Sequence, residues 1–363
     1  MGDADYDVAI AGAGPAGSTL ALLAARAGYR VLLAERSRFD APRIGETAPP
    51  ELRPLLSKLA LGHLLNDALH ADAPAVVSVW GSDEPAERHH ILSPYGNALH
   101  LDRRAFDQGL ALAAHAAGAD LRIGANVCFE SLQPNGYRVT LSGGQCVHAK
   151  IAVRANGRAG GALGLASARC YLDSNIATVA RFAAAPERIE PRTVIEAIPG
   201  GWFYLAAIPG NEIVAMFMTQ AAKVPAERSR RLRWWLEALA RTSLVRSALS
   251  GQPIPKSLSI YDARSSYLRT TAGADWFALG DASFAPDPLS GQGIIWAMGN
   301  AIFAEQVLRS GADFAQSMAQ RLSAEVADYL AVRDQIYRME QRFPGDPYWS
   351  SRLRQDVPRL HHS

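Results

Sequence analysis

Cysteine is scarce and charge imbalance is nearly absent in this chain of 363 residues, and each shortage removes a class of protein. Cys128, Cys146 and Cys170 are few, odd in number and far apart, so they supply neither a disulfide framework nor a metal-ligand spacing, which fits a reducing cytosol. Each reads as a small buried hydrophobe. Lys and Arg number 37 against 35 Asp and Glu, a formal charge of +2 spread along the chain. No face is therefore expected to be strongly basic, and neither nucleic acid nor a membrane surface is an expected partner. Low-complexity tracts are missing too. With 48% hydrophobic and 20% charged residues the chain can bury a sizeable core, and its length suits two domains or one large domain with an insert.

An uninterrupted membrane-length apolar run is also lacking. Val8 to Ala25 carries no charge, but Gly12, Gly14, Pro15 and Gly17 break it, and the aspartates before it have the wrong sign for a signal peptide. A cytoplasmic protein is expected.

What is present is punctuated by glycine. Asp7 to Ala11 is a short apolar run that enters Gly12-Ala13-Gly14-Pro15-Ala16-Gly17. An alanine- and leucine-rich helix should follow from about Pro15 to Ala27, closed by Gly28, and Arg30 to Ala34 reads as a second buried strand ending in Glu35. This is GxGxxG between a strand and a helix, with an acid at the end of the next strand. Gly12 permits the tight turn, Gly14 lets a pyrophosphate approach the backbone, and Gly17 allows close packing of helix on strand. Pro15 and Ala16 open a helix whose unpaired amides favour phosphate. Glu35, with Arg36 beside it, would accept a ribose hydroxyl. A glycine turn alone can be merely structural and does not separate FAD from NAD.

A second motif separates them. Trp276 to Ala282 is an apolar strand ending in Gly280-Asp281-Ala282, and Asp287-Pro288-Leu289-Ser290-Gly291-Gln292-Gly293 then opens a helix. Asp281 can hold a ribityl hydroxyl. A helix N-terminus at Gly291 and Gly293, aimed at a flavin ring, would stabilise negative charge on its reduced edge. The plainer reading of Asp281 is a turn former or N-cap.

Between these motifs, residues 71–98 change character, and Val76, Val77, Val79 and Trp80 read as part of a strand pair. Leu101 to Gly118 should be a helix, followed by strands at Leu121 to Phe129 and Tyr137 to Leu141. From about Ala166 to Leu268 the pattern is mostly strand-like, with a hairpin of Trp202 to Ile208 and Glu212 to Thr219 around Pro209-Gly210 and one amphipathic helix near Glu227 to Thr242. Helices are expected from Gly293 to Arg309 and over 313–341. The expectation is an α/β, mixed α+β fold: a discontinuous Rossmann-like nucleotide domain of residues 1–70, 99–165 and 270–310, an inserted mixed or antiparallel-sheet substrate domain of 71–98 and 166–269, and a C-terminal helical segment of 311–363.

The chain resembles the FAD-dependent aromatic hydroxylases and their relatives, the flavin-dependent halogenases. The resemblance is carried by the glycine turn, Arg43-Ile44-Gly45-Glu46, Asp102-Arg103 with Phe106-Asp107, Asn156-Gly157-Arg158, Trp202 to Pro209, and Gly280-Asp281-Ala282. It implies non-covalent FAD contacted at Glu35, Arg43, Arg103 and Asp281, reduced by NAD(P)H or an external flavin reductase, and a C4a-hydroperoxide formed with O2. One departure is plain. Where the family reads Asp-Ala-Thr-Gly-Arg, this chain has Arg154-Ala155-Asn156-Gly157-Arg158.

A halogenase of this family passes its oxidised halide to a lysine in the segment after the Gly-Glu loop. Val76 to Trp80 and its flanks contain no lysine, the nearest being Lys58, and the Asp287 to Gly293 loop is one residue shorter than the halogenase pattern. Both favour oxygen transfer, which needs an electron-rich ring held in a dry pocket. The same loop, with the tail from Tyr337 to Trp349, resembles small flavoproteins that oxygenate a tryptophan of a partner protein in tryptophylquinone biogenesis. The expected activity is hydroxylation of a tryptophan or indole-type ring, free or protein-borne. Halogenation, or a flavin-binding maturation factor without turnover, are the alternatives.

Glu46 and Asp287, with Pro288 beside the latter, are the candidate catalytic groups, and backbone capping is the competing role for both carboxylates. Trp202 and Tyr204 are placed near a substrate pocket, while Trp80 and Trp296 read as core aromatics. His63, His70, His89, His90 and His100 have no metal-like pattern, so no metal is expected.

Overall fold

The computed structural model describes residues 4–353, apart from 67–68, 133–135, 159, 162, 166 and 184–190. In its first strand, Tyr6–Ala11, Val8 to Ala11 are apolar and buried without a break because both faces are covered there. The strand pairs in parallel with Val31–Glu35 on one side and with Cys146–Arg154 on the other. Asp120–Ile123 extends the first edge, and Trp276–Ala278 returns from far along the chain to lie parallel to the end of Cys146–Arg154. Tyr137–Leu141 and Val127–Ser131 complete seven strands as an antiparallel ribbon. Helices Pro15–Arg26, Arg103–Ala116 and Gly293–Ser310 bury Leu20, Phe106 and Met298 against Val8, Ile10, Leu33 and Val153 on one face. On the other face Phe129 and Tyr137 of the ribbon cover Ala9, Ala11 and Leu32.

Two expectations are corrected here, and one strand unread in the sequence is added. Leu121 to Phe129 is not one strand, because Gly124, at φ 76°, breaks it into a sheet strand and a ribbon strand. Cys146–Arg154, unread in the sequence, is a central strand whose first half, in the ribbon, alternates with exposed residues and so mimics a loop. Cys128 and Cys146 are exposed and Cys170 is half-buried, since the ribbon turns its outer face to solvent and both of the first two flank Thr140 there.

The second seven-stranded sheet runs in the order Ser259–Asp262, Asn175–Ala183, Glu212–Gln220, Gly201–Ile208, Arg192–Ile198, Ala75–Val79 and Ala86–His89. All pairs are antiparallel except Ala75–Val79 with Arg192–Ile198. The expected hairpin is present, and its loop ends on Gly210 (φ 86°) and Asn211 (φ 60°), the left-handed pair that lets the strands reverse. Period-two alternation sorts its residues: Phe203 and Leu205 pack with Trp235 of helix Arg228–Leu239, while Trp202 and Tyr204 face the C-terminal segment. That segment consists of helices Phe314–Met339 and Pro347–Leu353. Two three-stranded sheets join the larger ones: Thr47–Ala48, Ala98–Leu101 and His70–Ala73, and Arg169–Tyr171, Ser266–Leu268 and Phe284–Ala285. Among the described residues no helix is long and apolar enough to cross a membrane.

Charge is less evenly spread than expected. Helix Arg228–Leu239 buries its apolar stripe on the sheet and so presents Arg228, Arg230 and Arg233 outward, with exposed Arg241 and Arg246 following.

Trp235 is fully buried, meets Phe203 edge-on at 5.4 Å and donates through Nε1 to the Thr178 carbonyl at 3.2 Å. Trp235→Ala is expected to cost about 3–5 kcal/mol. Thermal unfolding followed by circular dichroism checks this, and a fall in midpoint worth under about 1 kcal/mol would contradict the packing described.

Candidate functional site

The glycine turn is shaped by backbone approach. Gly12 sits at φ 107°, and a Cβ there would lie 2.4 Å from the Ala155 carbonyl oxygen. A Cβ on Gly17 would lie 1.9 Å from the Gly12 oxygen. Gly14 is different: nothing lies within 4 Å of its Cβ position, and its backbone is extended. The helix that starts at Pro15 has no side-chain cap, so its first amides are open to an anion. Ala16, by contrast, is buried.

Glu35 is 6% exposed and accepts from the Ala13 amide (2.9 Å), from the Ser37 amide (2.9 Å) and hydroxyl (2.6 Å), and from Arg43 (3.2 Å). Burial raises its pKa, but the bonds from Ser37 and Ala13 and the Arg43 charge outweigh it, leaving the carboxyl below its ordinary range. An ionised acid here can accept a ribose hydroxyl. Arg36 is exposed beside it.

Arg43 and Arg103 converge on Asp107, which is fully buried. Arg43 Nη1 donates to it at 2.7 Å, and Arg103 Nε and Nη2 donate at 3.1 Å each. Arg103 also donates to the carbonyls of Ile44 (2.8 Å) and Gly45 (3.1 Å), tying down the Arg43 to Glu46 loop. The spacing of Arg103 and Asp107, one helical turn on Arg103–Ala116, was the available signal for Asp107, whose bridging role the motif alone did not reveal.

Glu46 is 1% exposed. Its oxygens accept from Arg181 at 3.2 Å and from the Gly45 amide at 2.9 Å, and Arg181 also pairs with Glu212 at 2.8 Å. Burial pushes the Glu46 carboxyl up and Arg181 pulls it down, with burial the stronger. Instead of a free acid–base group, the structure presents an ion pair joining this loop to the second sheet.

Tyr204, Ile44 and Leu289 each pack against the same buried cluster, which includes Trp202 and Trp349. The Tyr204 hydroxyl is 2.7 Å from Thr47 Oγ1, and the chain continues through Thr193 (3.2 Å) to His100 Nε2 (2.9 Å). Burial, reinforced by Glu46, raises the Tyr204 pKa. Trp202 does not line open space. It is 2% exposed, donates to Tyr337 Oη at 3.2 Å and meets Trp80 edge-on at 6.3 Å, because the C-terminal segment covers this part of the sheet face.

Gly280 brings the second motif to the first, for a Cβ there would lie 3.0 Å from the Ala16 Cβ. Asp281 follows, partly exposed, and accepts from Arg158 Nε at 2.8 Å. Arg158 also donates to the Arg264 carbonyl (3.1 Å) and the Pro286 carbonyl (2.6 Å), strapping the strand end to the next loop. Arg154, at the family's aspartate position, is buried and donates to Asn156 Oδ1 (3.3 Å) and the Gly160 carbonyl (3.1 Å).

Asp287 is 1% exposed and turned inward. Oδ1 caps the Leu289 amide at 2.9 Å, while Oδ2 accepts from Asn175 Nδ2 (3.1 Å) and Tyr337 Oη (2.9 Å). Burial raises its pKa against the Arg352 charge. The capping role, not a free catalytic carboxyl, is what the geometry gives. Pro288 opens the short turn Pro288–Ser290, Gly291 is left-handed (φ 62°), and Gly293 begins the helix; neither glycine has an atom within 4 Å of its Cβ position.

An anion-accepting helix end, an ionised acid one strand over, a second acid next to the glycine that packs on the first helix and a second open helix start suit the diphosphate, ribose and ribityl parts of FAD in turn. A parallel sheet carrying such a site defines a dinucleotide-binding flavoprotein. The chain belongs to the FAD-binding domain family, whose model matches residues 5–308, and it is an FAD-dependent oxidoreductase. It is 28% identical over 359 residues, 96% of both chains, to LodB of Marinomonas mediterranea, which is named for the FAD-dependent oxidoreductases. It is 25% identical to a tryptophan 2-halogenase of Chondromyces crocatus, over 84% of this chain and 61% of that protein. Among solved structures, the myxobacterial chondrochloren halogenase CndH superposes with a TM-score of 0.85 at 22% identity, covering 97% of this chain and 87% of that one. The peptidyl tryptophan dihydroxylase QhpG gives 0.81 at 24% identity, covering 99% and 81%.

Gly14→Val should fold with an unchanged thermal midpoint and weaken FAD binding by roughly 2–3 kcal/mol, read by titration calorimetry. Gly17→Ala should instead disrupt the fold itself. Equal FAD affinity in Gly14→Val and wild type would refute the placement of the diphosphate.

His100 is fully buried, and burial lowers its pKa from 6.5 to about 4. The unfolded chain takes up a proton near 6.5 and the folded chain only near 4. The stability present above pH 6.5 is therefore lost as pH falls towards 4, by on the order of 3 kcal/mol. His70 shifts in the same direction, so His100→Gln should flatten the decline in urea midpoint between those pH values without abolishing it. A variant with the wild-type slope would disprove the assignment.

Proposed function

We propose that this chain is an FAD-dependent monooxygenase that transfers one oxygen atom to an indole ring, with a tryptophan borne on a partner protein as the substrate class. The observation that carries this reading is the placement of lysine. The chain has four, Lys58, Lys150, Lys223 and Lys256, and all are exposed. None is buried, so the chain offers no enclosed amine of the kind that a halogenase of this family places beside its substrate. The full-length likeness to LodB supports oxidoreductase chemistry, and the fold shared with a peptidyl tryptophan dihydroxylase supports the choice of ring and of a protein-borne substrate.

FAD, once bound and reduced, supplies an electrophilic oxygen from O2. The residues of this chain do the rest. The first turn after Gly14 grips the diphosphate, Glu35 holds the adenosine ribose and Asp281 the ribityl chain. Arg43 and Arg103, fixed by Asp107, hold the loop that carries Ile44. Tyr204, with Ile44 and Leu289, forms an apolar and aromatic wall that excludes water and fixes the ring, and positioning of this kind can supply most of the acceleration without an acid–base residue. No second glycine fingerprint for a nicotinamide cofactor occurs in the sequence, and a separate flavin reductase as electron donor fits that pattern.

Reaction of the FAD-loaded protein with a flavin reductant, O2 and bromide, in the presence of free indoles and of tryptophan peptides, tests the proposal by mass spectrometry. Oxygenated tryptophan is expected. A brominated ring would establish the halogenase reading instead, and bound flavin that ignores O2 would point to a maturation factor without turnover.

A further inference from the structure

The family match ends at residue 308, yet the helices beyond it reach back to the loop expected beside the flavin. Arg352, whose side chain is 1% exposed, leaves helix Pro347–Leu353 and inserts among Asn175 Oδ1, Asp173 (3.1 Å) and Asp287 (3.8 Å). Tyr337, from helix Phe314–Met339, donates its hydroxyl to Asp287 Oδ2 at 2.9 Å. Tyr329, from the same helix, accepts the Asp287 backbone amide at 3.0 Å, and its hydroxyl is 2.6 Å from Ser265 Oγ. Every polar group with which Asp287 could hold the loop is thus engaged, and two of its partners, with the balancing guanidinium, come from beyond the family match.

The chemistry of the cluster argues against simple glue. A tail needing only adhesion would be served by apolar contacts, whereas a desolvated carboxylate facing a second one, Asp173, needs a cation and hydroxyls close by to be tolerated. Such a network fixes geometry. The same segment also builds the neighbouring wall: Trp349 donates to the Ile198 carbonyl at 3.0 Å, Trp80 donates to the Ile336 carbonyl at 2.9 Å, and their rings meet edge-on at 5.1 Å.

We infer that the C-terminal segment sets the conformation of the Asp287 to Gly291 loop, with Arg352, Tyr337 and Tyr329 as positioning residues that act on the flavin through Asp287. This rests on the reading above that the loop borders the flavin ring. It assigns to Asp287 the task of transmitting the tail's position to the start of helix Gly293–Ser310, and it makes the loop and the aromatic wall move as one unit.

The test uses the full, FAD-loaded chain and the variants Arg352→Met, Arg352→Lys and Tyr337→Phe. Three quantities are read: FAD affinity, the visible spectrum and midpoint potential of the bound flavin, and hydrogen peroxide released per O2 consumed. Arg352→Met is expected to keep wild-type FAD affinity, because its partners Asn175, Asp173 and Asp287 lie outside the glycine turn, while the flavin spectrum and potential shift and peroxide release rises several-fold. Arg352→Lys should recover part of the change, since it keeps the charge without the planar fork. Tyr337→Phe, which deletes one hydroxyl, should move the same readouts less, and it decides the matter if Arg352→Met does not fold. Spectrum, potential and peroxide release all equal to wild type, whatever happens to the melting temperature, would overturn the inference. A wild-type chain that binds no FAD would instead overturn the function proposed above, so the two failures are distinct.

Discussion

The contact between the glycine turn and the end of strand Cys146–Arg154 governs the rest of the molecule. With hydrogen as the only side chain at Gly12 and Gly17, the turn lies directly on Ala155 and the helix lies directly on the turn. That fixes where helix Pro15–Arg26 points and leaves its first amides unpaired beyond the end of a central strand. It also gives Gly280 a flat surface at Ala16 to rest on, which is how an acid more than two hundred residues later in the chain arrives beside the phosphate turn. Direct side-chain contact between the two acids is not needed; the backbone carries the geometry.

Around that contact, charge is used for orientation more than for adhesion. Glu35, Arg43, Asp107 and Arg103 form a continuous chain of ion pairs from the end of strand Val31–Glu35 to the loop bearing Ile44, and Glu46 with Arg181 carries the connection into the second sheet. Desolvating such groups offsets much of their mutual attraction, so their net stabilisation is small, but removing one member strands the others. A rigid path therefore links the end of the first sheet to the second sheet.

How far the sequence could be read follows from the range of the interactions. The first strand, turn and helix, the hairpin at Pro209-Gly210 and the helix from Gly293 were legible because their signals are local: glycine spacing, alternation, an apolar stripe. Cys146–Arg154 was not, since its parallel partners lie at Tyr6–Ala11 and Trp276–Ala278 and its own first half looks polar. Alternation placed Trp202 on the same face as Tyr204, but only residues 336–349, distant in sequence, determine that Trp202 is covered, while Tyr204 bonds Thr47 just after the Gly45-Glu46 loop. Glu46 and Asp287 were recognisable as loop carboxylates near a flavin. Their partners, Arg181 and Arg352, are 135 and 65 residues away, and without them a tethered carboxylate cannot be told from a working one.

The parallel pairing of Ala152 with Trp276 has an evolutionary corollary. Chain leaves the nucleotide sheet at one strand and re-enters on the adjacent strand, about 5 Å away, after an excursion of more than one hundred residues. An excursion with such close ends can be lengthened, trimmed or resurfaced without moving its anchor points. A single flavin-holding frame could in this way host many differently shaped reaction chambers, each a variation on what happens between two neighbouring strands.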